Sequence, residues 1–147
     1  MNIIDVHTHF FPKDMKVNRS KYCSLDQNFS ELYGEERINI PTEDELSEIL
    51  NEDPNIKLVI QSIGYQDLEL TKYTNDFLID MSLKYDQVKV FGSININWGV
   101  NKCLEEIERM KKKDVSGIGE LHPDSQGFDL LNFELFDPIV ENLVSNN

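Results

Sequence analysis

The sequence predicts an α/β fold in which about four strands form a parallel sheet and each strand is followed by helix. Three observations lead to that prediction. Short apolar runs alternate with stretches whose apolar residues recur at every third or fourth position. The second, third and fourth runs begin about 30 residues apart, which is the size of a strand–helix–strand unit. All three histidines (His7, His9 and His122) fall at the C-terminal ends of such runs, where parallel α/β folds build their sites.

The first strand is expected over residues 2–10, the second over 58–64 (LVIQSIG), the third over 88–95 (VKVFGSIN) and the fourth over 116–122 (SGIGELH). Thr42-Glu43-Asp44-Glu45 reads as a capping box that starts the first helix, with Leu46, Ile49 and Leu50 on its apolar face. A second helix is expected over 68–85, with Leu70, Tyr73, Phe77, Leu78, Met81 and Tyr85 inward. A third is expected over 100–112, with Val100, Cys103, Leu104, Ile107 and Met110 inward. Lys111, Lys112 and Lys113 form its solvated end, where cations suit the helix dipole. A last helix is expected to start at Asp137-Pro138, with Asp as cap and Pro at its first position. Residues 13–41 are polar with scattered aromatics, and read as a long loop or lid after the first strand.

The 147 residues suit one domain, and 39% apolar content suits a packed core. A net charge of −13 argues against nucleic acid and anionic membrane surfaces as partners. No apolar run reaches the length of a membrane span, and the N-terminus lacks the features of a signal peptide. Two cysteines, Cys23 and Cys103, form no metal-binding or disulfide pattern, and Cys103 reads as a buried helix residue. Together these features imply a cytoplasmic protein.

Alternation along a strand sends Asp5, His7 and His9 to one side. Two imidazoles one strand period apart can reach a single ion, and Asp5 can act behind them as an acceptor that orients an imidazole. The fourth strand places Glu120 and His122 on one face, with Gly117 and Gly119 between strand neighbours. Gln61, Ser62 and Asn95 lie near strand ends and read as structural, and Trp98 reads as a packing residue.

IIDVHTHFFP resembles the opening of the amidohydrolase superfamily, with its HxH on the first strand of a TIM barrel. GIGELHPDSQGFDL resembles the fourth-strand region of the amidohydrolase-related, aminocarboxymuconate-semialdehyde decarboxylase-like branch. The resemblance spans nearly the whole chain and implies the N-terminal half of such a barrel. It implies a divalent metal, usually zinc, held by His7 and His9 with Glu120 at a metal-binding position and His122 facing substrate. It further implies hydrolysis of a C–N or C–O bond in a small molecule, or non-oxidative decarboxylation. The family's later ligands and its general base come from strands beyond the fourth, so the 147-residue chain is expected to be incomplete as a catalyst.

The competing expectation is non-catalytic: a truncated remnant, or a half-barrel that binds a partner. An open half-barrel exposes its sheet edges, so a second copy or a second half-barrel chain is the expected protein partner. A flavodoxin-like binding domain requires a glycine loop after the first strand, where this chain has His9-Phe10-Phe11-Pro12.

Overall fold

The computed structural model describes residues 3–145. Strands β1 (Ile4–Thr8), β2 (Lys57–Gln61), β3 (Val88–Gly92) and β4 (Gly117–Ile118) form one parallel sheet in the order β1-β2-β3-β4. Sequence neighbours are therefore sheet neighbours, as in successive units of a barrel. The sheet is not closed, and β1 and β4 are its edges. Each strand is shorter than the apolar run that announced it. Asn2, the expected start of the first strand, lies outside the described residues.

The crossovers form where the periodicity predicts them. Helix α4 (Glu43–Glu52) begins at the Thr42 capping box, where the Glu45 carboxylate accepts the Thr42 backbone N–H at 2.9 Å. Helix α5 (Leu68–Lys84) starts at Asp67, whose side chain accepts the Leu70 N–H at 2.7 Å. Helix α6 (Val100–Lys111) ends at the exposed lysine run. Leu46 and Leu50 of α4 and Leu78 and Met81 of α5 pack on Leu58, Ile60, Val88 and Val90 of the sheet. Each such fully buried aliphatic side chain stabilises the fold by about 1.5–3 kcal/mol. Cys103 is buried in the next cluster with Ile79, Ile94, Ile107 and Met110, as its position on the helix predicts.

Residues 13–41 depart from the expected loop. They hold three short helices, α1 (Lys13–Val17), α2 (Arg19–Leu25) and α3 (Gln27–Tyr33). Each is too short for an apolar period to show in the sequence. Met15, Tyr22, Phe29 and Ile40 form a core of their own with Phe11, Ile63, Tyr65 and Leu70. Asp26 pins this insertion: its carboxylate caps α3 at the Phe29 N–H (3.0 Å) and accepts the Gln66 N–H (2.7 Å) from the loop after β2. Tyr73, expected inward on α5, is instead 40% exposed and stacks on Tyr22 of the insertion.

Pro123–Gln126 forms α7, and the last helix, α8 (Phe133–Ser145), begins earlier than expected. Pro138 lies inside it rather than at its start. Phe136 packs on Phe128, and the Leu135 and Phe136 N–H groups both bond the Asn132 carbonyl, which carries the helix upstream of the proline. The proline ring leaves the Glu134 carbonyl without its usual helical donor. Apolar side chains are exposed at both ends of the molecule: Ile4 and Val6 on edge strand β1, and Leu131, Phe133 and Val144 on and before α8. Among the described residues, no helix is long and apolar enough to cross a membrane.

Candidate metal centre

The C-terminal ends of β1 and β4 converge. His7 is the fourth residue of β1, His9 follows its end, and Glu120 lies two residues beyond β4. His7 Nε2 is 3.0 Å from His9 Nε2. Glu120 Oε2 is 3.3 Å from the first and 3.5 Å from the second. These three were expected to share a site, and their donor atoms all lie within 4.8 Å of one another.

This donor set fits a divalent cation. Metal–nitrogen and metal–oxygen bonds of ~2.1 Å at tetrahedral angles put neighbouring donors roughly 3.4 Å apart. The three distances here cluster around that value. His9 Nδ1 lies 2.9 Å from the Gln61 backbone carbonyl. A carbonyl only accepts, so Nδ1 carries the proton and Nε2 presents its lone pair toward His7 and Glu120. Burial lowers the pKa of His9, opposed by the Gln61 bond and the Glu120 charge, which favours the neutral, ligating form.

Backbone and side-chain bonds hold each donor in place. The Thr8 hydroxyl donates to the Val59 carbonyl (3.1 Å) and the Gln61 side chain donates to the Val6 carbonyl (3.0 Å), locking β1 to β2. The Glu120 N–H donates to the Ser62 carbonyl at 2.7 Å, and the Ser93 hydroxyl donates to the Glu120 carbonyl at 3.3 Å. Ser93 is in turn held by Asn75, which receives its N–H and donates to its carbonyl, both at 2.9 Å. Gly117 keeps β4 close to β3, since a Cβ there would lie 2.9 Å from the Phe91 ring.

His122 joins the cluster from the side, with Nε2 3.4 Å from Glu120 Oε1. That nitrogen is buried and, among the described residues, has no hydrogen-bond partner. Asp5 does not do what alternation suggests. Its carboxylate accepts the backbone N–H of His7 at 3.1 Å, a local turn-like contact, and the acceptor behind the imidazoles is the Gln61 carbonyl. Ser62 and Asn95 are buried and structural, as expected, with Asn95 donating to the Tyr65 carbonyl. Trp98 packs against the α6–α8 cluster and donates to the Gln66 carbonyl.

The sequence reading missed two residues of this region. Gln126 is buried, accepts the His122 N–H at 2.8 Å, and donates to the Ile94 (2.9 Å) and Tyr65 (3.1 Å) carbonyls. One side chain thus ties together the loops after β2, β3 and β4. Burial, and after it the Glu120 charge, raises the pKa of Tyr33 at the end of α3. Neither belongs to a metal-ligand pattern, so only the fold brings them here. A separate cavity of about 260 Å³, lined by Ile107, Met110, Val115, Ile118 and Leu143, lies between α6, β4 and α8 and shares no residue with the cluster.

No family model matches the chain, and no curated protein matches it. Two solved structures do match, both of 5-carboxyvanillate decarboxylase from Novosphingobium aromaticivorans. One is complexed with manganese and 4-hydroxy-3-methoxy-5-nitrobenzoic acid. It is 20% identical, with a TM-score of 0.69 over 97% of this chain and 47% of that one. The other, a point mutant with manganese and the same nitro acid bound, is 21% identical, with a TM-score of 0.61 over 97% and 48%. This chain therefore spans about half the length of the enzymes it resembles. The metal in those structures is manganese, where the sequence resemblance suggested zinc. The four strand–helix units have the fold of half a TIM-barrel decarboxylase, in line with the expected half-barrel of parallel strands.

Proposed function

We propose that this chain carries the metal-binding half of a divalent-metal-dependent decarboxylase site acting on a small aromatic carboxylate. The observation that carries the reading is the convergence of His7 Nε2, His9 Nε2 and Glu120 Oε2 at 3.0–3.5 Å. The matched enzymes favour decarboxylation over the hydrolysis first expected, and manganese over zinc.

In this reading His7, His9 and Glu120 hold the cation. When bound, the cation supplies positive charge that stabilises negative charge developing on substrate oxygens. The Gln61 carbonyl keeps His9 in the ligating tautomer. Ser62 and Ser93 clamp the Glu120 peptide from both sides, so the carboxylate needs little reorganisation on binding. His122, whose Nε2 lies 3.4 Å from Glu120 Oε1, would meet the substrate from that side. Asp5 supports the His7 backbone. The helical insertion α1–α3 packs with Phe11, Ile63 and Tyr65, just past the ends of β1 and β2, and would serve as a wall of the substrate site. Further strand–helix units, from a second copy or a second half-barrel chain, would cover Ile4 and Val6 at one edge and Leu131 and Phe133 at the other.

The reading is tested by titrating the protein with Mn²⁺ and then following CO₂ release from 5-carboxyvanillate. Manganese-dependent release that is lost in a His7→Ala/His9→Ala variant supports it. Manganese binding without release, even when the chain is mixed with a completing half, restricts the chain to a metal-binding, non-catalytic role.

A further inference from the structure

The five tyrosines of this chain differ in what their hydroxyls do. Tyr22 donates to Asp14, and Tyr73 pairs with Tyr22. Tyr65 pairs with Thr74, and Tyr85 donates to Glu43 at 3.2 Å. Among the described residues, the Tyr33 hydroxyl makes no hydrogen bond. Yet Tyr33 is not a loose surface residue. Its ring meets Phe11 edge-on at 4.7 Å and stacks on Phe29 at 5.4 Å, and both of those residues are buried. Phe11 lies two residues past His9, and α3 packs against α7, which begins right after His122. The ring is thus fixed between the β1 end and the β4 end of the site.

Tyr33 is only partly buried, so the structure fixes the ring and leaves the hydroxyl open to water or to a ligand. Burial, and after it the Glu120 charge, raise the pKa of this phenol, so it stays a neutral donor in the working range. A neutral donor beside two imidazoles and the Glu120 carboxylate complements an anionic oxygen that a bound cation draws in.

We propose that Tyr33 is a substrate-binding residue: its hydroxyl donates a hydrogen bond to a carboxylate or phenolate oxygen of a small aromatic acid seated beside His7, His9 and Glu120. The proposal rests on the metal-site reading above, and it adds a donor from the insertion rather than from the sheet. It makes the α1–α3 insertion part of the recognition surface, with Tyr33 setting which oxygen faces α3.

The test uses the manganese-loaded protein and 4-hydroxy-3-methoxy-5-nitrobenzoic acid, whose nitrophenol absorbance reports binding. Tyr33→Phe keeps the ring packing and removes only the donor. The expected result is probe affinity weakened about tenfold, the loss typical of one hydrogen bond to a charged oxygen. Mn²⁺ affinity stays unchanged, and Tyr85→Phe, remote from the site, binds the probe as the wild type does. Equal probe affinity in Tyr33→Phe and wild type overturns the proposal. So does a parallel loss of Mn²⁺ affinity, which would mark Tyr33 as structural, and so does failure of the manganese-loaded wild type to bind the probe. Failure of the wild type to bind Mn²⁺ at all removes the metal-site reading and this proposal with it.

Discussion

Replacing Gln126 with methionine tests whether one buried amide holds the site-bearing loops together. Methionine keeps the volume of the side chain and deletes its three hydrogen bonds, so the cost isolates the polar contacts. A naive sum of three orphaned backbone groups at ~1–3 kcal/mol each would exceed much of a domain's stability. The structure lowers that figure. The Tyr65 carbonyl keeps a second donor, Asn95 Nδ2 at 3.3 Å, and the Ile94 carbonyl keeps a weak contact with the Ser93 hydroxyl at 3.4 Å. Only the His122 N–H loses its acceptor outright. The expected destabilisation is therefore about 3 kcal/mol, read by urea denaturation as a lower midpoint at constant slope. The Gln126 side chain bonds His122, Tyr65 and Ile94 backbone groups rather than the His7, His9 or Glu120 side chains, so Mn²⁺ affinity stays within about threefold of wild type. A loss of stability below about 1 kcal/mol would refute the claim that Gln126 ties the three loops together.

Two further predictions follow from neighbouring contacts. A Cβ at Gly64 would lie 2.5 Å from Gln126 Oε1 and 2.6 Å from its Cδ, and the bonded, buried Gln126 cannot swing away. Gly64→Ala is expected to cost about 1–3 kcal/mol in urea denaturation, and markedly less in a Gln126→Ala background; additive costs would contradict the clash. The Lys16 ammonium, then the Thr42 hydroxyl, hold the Glu45 carboxyl at about 2 against an ordinary 4.5. A depressed carboxylate pKa stabilises the fold above the unfolded value, and that stabilisation fades as pH falls through the folded one. Glu45→Gln is therefore expected to cost about 1 kcal/mol at pH 7, after discounting for solvent at this partly exposed pair. The gap should shrink as pH drops from 4.5 toward 2, and a pH-independent gap would contradict the assignment.

What the sequence made legible was periodic or paired. The strand–helix alternation, the Thr42 capping box and the inward Cys103, Leu104, Ile107 and Met110 of α6 follow from spacing alone, and the structure has them; Val100, also expected inward, is not in that core. His7, His9 and Glu120 were recognisable because metal-ligand residue types sit at strand ends, and the fold brings their donor atoms together. The insertion was not legible, because helices of five to seven residues carry too little period to register. The start of α8 was misplaced because a proline reads as a helix start, while packing of Phe136 on Phe128 extends the helix past it. Gln61 and Gln126 act through a backbone carbonyl and a side-chain amide, and neither leaves a mark in a linear pattern. Asp5 was given a ligand-orienting role because alternation places it beside the histidines. In the structure the shorter path to the His7 N–H takes its carboxylate.

The measurement closest to the central claim is Mn²⁺ retained by the purified protein after gel filtration, set beside the His7→Ala/His9→Ala variant. Two imidazoles and one carboxylate converging within 4.8 Å predict binding by the wild type. Loss of both imidazoles should weaken it by at least about 100-fold, beyond the effect of removing a supporting contact. Equal manganese content in the two proteins would show that the β1 histidines do not form the site, and would end the account.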